Sequence, residues 1–317
     1  MANLTLLDVA KRSGNDATVG IVESMIQSNP LLAMIPTKPI TGAMYKYQRR
    51  VGLPTVGFTG FNQGIASSKS RIEQIVVETK ILKGLSKVDR LLAEAYKDGV
   101  NAFRAIEDIA FAGALANAYN ENCYYGDSTS VLNEFDGIKR ILPSIAGTCV
   151  SSTGSSANVQ TSMYFWSFTA VNTKEGKIQG VEMPLANGYG VRTTDLGLQL
   201  VADADSNDFV GYVTDFTWQP GLAVYDTKSV GRLANIDSTH KPTVALINSV
   251  LTAMHPFRCD LITCSPTVFG YVQELKGTTA AGYQPWVSED LFKRARFFDG
   301  IPIMIDDNIT QTEAVVS

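Results

Sequence analysis

The stretch that most restricts this chain lies between residues 41 and 90. Met44-Tyr45-Lys46-Tyr47-Gln48-Arg49-Arg50-Val51 alternates as a strand does. Gly52 to Ser70 then holds Pro54, three further glycines (Gly57, Gly60, Gly64) and two phenylalanines, Phe58 and Phe61. Ile75-Val76-Val77-Glu78-Thr79-Lys80-Ile81-Leu82 alternates again and returns. The pattern predicts a long two-stranded excursion with a flexible tip. An isolated hairpin is marginal in water, so such an extension is useful mainly if it lies on a neighbour.

The rest of the chain has the material for a core. The whole chain's 317 residues are 45% hydrophobic, a length that suggests about two domains and permits burial without disulfides or metals. Charged residues are only 18%, below the roughly 25% usual for soluble domains, which suggests surface covered by another chain. A net charge of −4 argues against a nucleic-acid reader, which needs a basic stripe. No apolar run approaches the roughly 18 residues of a membrane span, and Met1 to Asp8 lacks the basic and apolar regions of a secretory signal. Cys123, Cys149, Cys259 and Cys264 fit no zinc spacing and form no C-x-x-C, so they read as reduced cytosolic thiols.

Residues 1–40 read as an arm, with short helices over Leu6 to Arg12 and Thr18 to Gln27, broken by Asn29-Pro30 and Ile35-Pro36. From Gly99 to Asn122 the period is helical. Phe103, Ile106, Ile109, Ala110, Gly113 and Ala116 share the expected packing face, and Arg104 and Asp108 sit opposite at i, i+4 spacing. Gly126 is the expected terminator. Beyond residue 141 the pattern is mixed. Strands are expected over Met163 to Val171, Leu198 to Ala202, Phe209 to Trp218, Leu222 to Tyr225, Asp260 to Cys264 and Ile301 to Ile305. Helices are expected over Pro242 to Met254 and from Ser265-Pro266 toward Lys276.

Catalysis finds no foothold. Asp203-Ala204-Asp205-Ser206-Asn207-Asp208 begins like a calcium loop, but Asp208 replaces the required Gly and Thr214 the required Glu, so it reads as a polar turn. His240 and His255 have no nucleophile motif beside them and read as residues capping or packing helix ends. Asn187-Gly188-Tyr189-Gly190 lacks the third glycine of a dinucleotide loop. Asp306-Asp307 reads as a solvated strand end rather than an acid/base pair. No metal or cofactor is expected.

Charge is distributed unevenly. Residues 41–90 carry nine basic and three acidic side chains, a net +6; residues 91–136 carry eight acidic and two basic, a net −6. Tyr45, Tyr47, Phe58 and Phe61 interleave with Lys46, Arg49 and Arg50. That mixture fits nucleic-acid stacking, an ordinary strand pair with a charged face, or a protein interface. A basic extension beside an acidic helix suits head-to-tail association between copies, with pairing inside one copy as the rival. The candidate interface residues are Lys46, Arg49, Arg50, Phe58, Phe61, Lys69 and Arg71 on one side. On the other are Glu94, Asp98, Glu107, Asp108 and Glu121.

The order of these parts resembles the major capsid protein of tailed double-stranded DNA bacteriophages, whose fold is shared with encapsulins. The similar stretches are Asn29-Pro30-Leu31-Leu32, Tyr125-Gly126-Asp127 with Asn133-Glu134-Phe135-Asp136-Gly137, and Trp218-Gln219-Pro220-Gly221-Leu222. Two more are Gly231-Arg232-Leu233-Ala234-Asn235-Ile236-Asp237 and Phe298-Asp299-Gly300-Ile301-Pro302. The resemblance implies an α+β fold with an N-terminal arm at 1–40, an extended β-hairpin loop at 41–84 and a peripheral domain with a long spine helix at 85–140. An axial α/β domain at 141–290 and a C-terminal strand at 291–317 complete it. It implies hexamers and pentamers in an icosahedral shell, assembled in the bacterial cytoplasm. Portal, scaffolding and decoration proteins and non-specifically contacted double-stranded DNA are the implied partners; a membrane is not among them. Some relatives crosslink a loop Lys to an Asn by an isopeptide bond; Lys69 is the loop candidate here, though no matching motif accompanies it. The competing readings are an encapsulin-like nanocompartment, and a soluble oligomeric hydrolase or calcium-dependent binding protein.

Overall fold

The computed structural model describes residues 29–154, 158–168, 177–183, 190–202, 207–278 and 297–317. The expected arm helices, the polar turn at 203–206 and the turn at 187–189 lie outside the described residues. The chain enters at Asn29 and a short helix α1 (Pro30–Met34), with Pro30 in the first turn and Leu31 buried. Strand β1 (Thr37–Pro39) leads to the expected hairpin, β2 (Met44–Gly52) and β3 (Arg71–Glu78), paired antiparallel from Met44 opposite Glu78 out to Gly52 opposite Arg71.

The return strand therefore starts and ends four residues earlier than its alternation predicts. Leu82 belongs to another strand, β4 (Leu82–Asp89). Thr79 makes the break: it is buried, its hydroxyl donates to the Ala43 carbonyl at 3.1 Å and accepts from the Gln219 amide at 3.2 Å. Lys80 N then donates to the Pro220 carbonyl, so the chain changes sheets here.

Helix α2 (Arg90–Glu94), capped by Asp89 on the amides of Leu91 and Leu92, precedes the long helix α3 (Val100–Tyr125). At 26 residues, α3 is about 39 Å long. It ends at Gly126, but with φ −53° rather than a left-handed cap. Close approach is what requires glycine there. A Cβ on Gly126 would lie 2.2 Å from the Phe135 carbonyl, and one on Gly137 would lie 2.5 Å from the Asn122 carbonyl. The two backbones cross, and Gly137 N donates to Gly126 O at 2.8 Å.

After α4 (Ile138–Ile141) come β5 (Cys149–Ser151), β6 (Thr161–Trp166), β7 (Ile178–Glu182), the long hairpin β8 (Arg192–Ala202) and β9 (Asp208–Trp218), then β10 (Pro220–Val224) and β11 (Val230–Ile236). Helix α5 (Val244–Ala253), β12 (Leu261–Cys264), α6 (Pro266–Thr278), β13 (Phe297–Phe298) and β14 (Ile301–Ile305) complete the described elements. Helix α5 begins two residues after Pro242, because Thr243 is its cap. Asp299 and Gly300 both have positive φ, 48° and 76°, the conformation of a two-residue hairpin turn between β13 and β14.

Among the described residues the strands form four sheets. The largest has the order β13-β14-β12-β6-β11-β5; the others are β1-β7-β10, β4-β9-β8 and the β2-β3 hairpin. Strand β6 sits inside the largest sheet and is buried on both faces. Tyr164 and Trp166 face one apolar cluster with Tyr119, Cys123 and Tyr124 of α3. Met163 and Phe165 face a second, with Ile247 and Val250 of α5 and Val268 of α6. The four cysteines are free and buried, and burial raises each thiol pKa.

Helix α3 uses only part of the face its apolar spacing predicts, with Ile106 packing beside Phe103 against Ala93 and Tyr96. Phe103 is buried, but Ile109 is 73% exposed, Ala110 and Gly113 are exposed, and Gly113 has open space around its Cβ position. The helix instead turns Phe111 and Arg104 onto the β4-β9-β8 sheet. Phe111 stacks on Phe216 over Gly84, where a Cβ would lie 2.9 Å from the Phe111 ring. Arg104 bonds Asp195 at 2.6 Å and lies over the Tyr212 ring, so the expected partner Asp108 is displaced by a carboxylate from β8.

Asp306 corrects the expectation of a solvated strand end: it is fully buried. It accepts from Asn120 and the Tyr124 hydroxyl, both at 2.8 Å, and from Asn308. Burial raises its pKa against those donors. Asn29 joins the same group through Asn117, Asn120 and Asn308.

Candidate assembly interface

The base of the extension belongs to its own subunit. Tyr47 donates to the Val224 carbonyl at 2.8 Å, the Tyr45 and Tyr225 hydroxyls meet at 2.9 Å, and Val77 packs with Ile40, Val181 and Ala223. Burial raises the Tyr47 pKa. Past Gly52 and Arg71 that support ends. Leu53, Val56 and Ile65 are exposed, and Phe58 and Phe61 are fully so, at 110% and 103%. The tip keeps a defined turn, with Gln63 N donating to Gly60 O, and Ser68 donating across to the Thr55 carbonyl.

Cross-strand register sorts the basic residues. Arg49 is opposite Glu73 and Arg50 opposite Ile72, on opposite faces of the hairpin. Lys46 and Arg50 are exposed on the outer face, as is Lys69 in the loop. Arg71 is exposed and pairs with Glu73 two residues on, at 2.7 Å; Lys80 does the same with Glu78. Arg49 faces inward to a groove of about 480 Å³ between the hairpin, Leu132 and Phe135 of the following loop, and Leu222 and Val224. Its Nε is buried without a hydrogen-bond partner.

The acidic set lies apart from these. Glu94 pairs at i, i+4 with Arg90 at 3.5 Å, and Asp98 is exposed ahead of α3. Glu107 and Asp108 are half-buried on α3; desolvation raises the Asp108 pKa against the pull of Arg104, and one of its carboxylate oxygens has no hydrogen-bond partner. Glu121 is exposed near the end of α3, lining a second groove of about 270 Å³ with Lys80 and Tyr125. The ion pairs formed by the extension are thus local, and those found do not bring Lys46, Arg50 or Lys69 onto α3 of the same subunit.

The groups that sequence reasoning missed are interior. Arg232, 1% exposed, is held by Glu313 at 2.8 Å, the Ser162 hydroxyl and the Leu142 carbonyl. Glu313 also accepts from the Tyr125 and Tyr164 hydroxyls, which raises the Tyr125 pKa further beyond its burial. The sequence signal for Arg232 is its place in the Gly231-to-Asp237 stretch.

The sequence pattern of major capsid protein GP7 matches residues 13–317 of this chain. The chain belongs to that capsid protein family. It is a structural subunit of an icosahedral phage capsid, located in the virion and associating with itself into capsid oligomers. The capsid subunit's fold is that of tailed-phage major capsid proteins. It is similar to the cryo-EM structure of bacteriophage Epsilon15 at TM-score 0.73 and 22% identity, covering 100% of this chain and 98% of that one. It is similar to the bacteriophage JBD30 capsid at TM-score 0.53 and 12% identity, covering 90% and 91%. No curated protein sequence matches the chain. The capsid family settles the choice against a hydrolase or a calcium-binding protein, and the nanocompartment reading is not favoured.

Proposed function

We propose that the subunits close into hexamers and pentamers, with the extension of one copy lying across α3 of the next, and that the resulting shell encloses double-stranded DNA. The observation that carries this reading is the extension's outer half. It exposes five large apolar side chains, above an outer face on which Lys46 and Arg50 form no ion pair found among the described residues; a tip of this kind gains stability from a covering surface. On α3 the exposed Ile109, Ala110 and Gly113 let a partner backbone approach closely, beside Glu107, Asp108 and Glu121. Heterologous contacts of this kind generate rings when the rotation closes.

Under this reading residues 1–40 are an arm, 41–84 the extended loop, 85–140 the peripheral domain, 141–290 the axial domain, and 291–317 a returning strand. Portal, scaffolding and decoration proteins join the shell in the bacterial cytoplasm. The acidic remainder of the chain leaves packaged DNA weakly repelled rather than gripped. Reversal of Lys46 and Arg50 to Glu tests the electrostatic part. Light scattering and negative-stain microscopy at low salt should find no shells, with the urea midpoint of the free subunit unchanged. Shells at the normal yield would sink the proposal.

A further inference from the structure

Residues 309–317 make no strand beyond a single bridge between Gln160 and Glu313, yet they close the cluster that holds α3. Ile309 and Val316 are buried in that cluster, and Glu313 supplies the carboxylate for Arg232. The contacts reach four separate parts of the chain. Tyr125, the last residue of α3, donates to Glu313 at 2.6 Å and accepts from Thr310 N at 3.0 Å. On β6, Ser162 and Tyr164 donate to Glu313. On β11, the Asn235 side chain pairs with Val316 as a peptide group would, accepting from its N and donating to its O, both at 2.8 Å. Ile145 N donates to the Ser317 carbonyl at 3.2 Å.

We infer that residues 309–317 are a latch whose docking fixes the end of α3 against the β6-β11 face and so makes the subunit competent to assemble. The segment is held mainly by side chains rather than by a strand ladder, which makes it a natural unit of local opening. When it leaves, Arg232 loses its counter-charge, while Tyr125 loses both its acceptor and its donor. The second cluster, around α5 and α6, contains no residue of the segment. Opening therefore loosens the α3 side of the sheet and leaves the α5 side intact. A subunit with an open latch holds the end of α3 out of register with its neighbours.

This inference rests on the shell reading, and the experiment separates the two. Hydrogen exchange is measured on the unassembled full chain and on two variants, Glu313→Ala and the milder Asn235→Gly, which preserves the left-handed backbone at φ 58° and deletes the Val316 clamp together with one bond to the Ser151 hydroxyl. The expected result is at least tenfold faster exchange at residues 119–125, unchanged exchange at 247–254, and at least a tenfold loss of particles. Equal acceleration in both regions, or none at 119–125, overturns the latch. If the unsubstituted chain itself forms no particles, the shell reading falls, and the exchange contrast alone decides the latch.

Discussion

The extension tip and the segment 309–317 are both short and irregular, yet they dispose of their side chains in opposite ways. The tip leaves Phe58 and Phe61 wholly in solvent. The segment buries a carboxylate against an arginine and supplies two apolar side chains to a core. The difference lies in where the partner is. Burial of Glu313 is made tolerable by Arg232 and three hydroxyls from the same chain; the tip finds nothing comparable in its own subunit. Irregular structure is thus buried here where the chain completes it, and left in solvent where it does not.

The contrast can be broken most strongly from the interior. Arg232→Ala leaves Glu313 buried without a counter-charge and should cost about 3–5 kcal/mol in urea unfolding of the free subunit. Gly231→Ala comes next. Its Cβ would lie 2.4 Å from a Val250 methyl and 3.1 Å from the Met254 sulfur, an overpacking worth about 1–3 kcal/mol by the same measurement.

Asp306 gives a smaller, pH-dependent effect. Its pKa is raised in the folded protein, so its contribution is fully present below the unfolded carboxylate value and lost as pH rises through the folded value. Stability measured across that window should fall less steeply with pH in Asp306→Asn than in the parent chain. The smallest change is expected at the tip. Phe58→Ser with Phe61→Ser should leave the free subunit within about 0.5 kcal/mol while lowering shell yield in light scattering. A destabilised subunit would show that the tip has partners within its own chain.

The hairpin was legible because β alternation and a glycine- and proline-rich tip are local signals. Its return register was not, because Ile75 to Leu82 alternates straight through Thr79, and only Ala43 and Gln219, distant in sequence, turn the chain there. The length of α3 was legible and its face only in part. Small residues read as a packing seam, whereas the sheet takes Phe111 and Arg104 and leaves Ile109 in solvent. Of the candidate interface, the alternation of β2 already separates Arg49 from Arg50, a signal that grouping them by charge conceals. Arg232 and Glu313 are 81 positions apart, and Tyr124 meets Asp306 across 182. Local pattern carries no information at such separations.

Asn29 is moored by Asn117, Asn120 and Asn308 beside the buried Asp306. The entry of the described chain and the last turns of α3 therefore hang on one buried carboxylate. A single substitution there would loosen both at once.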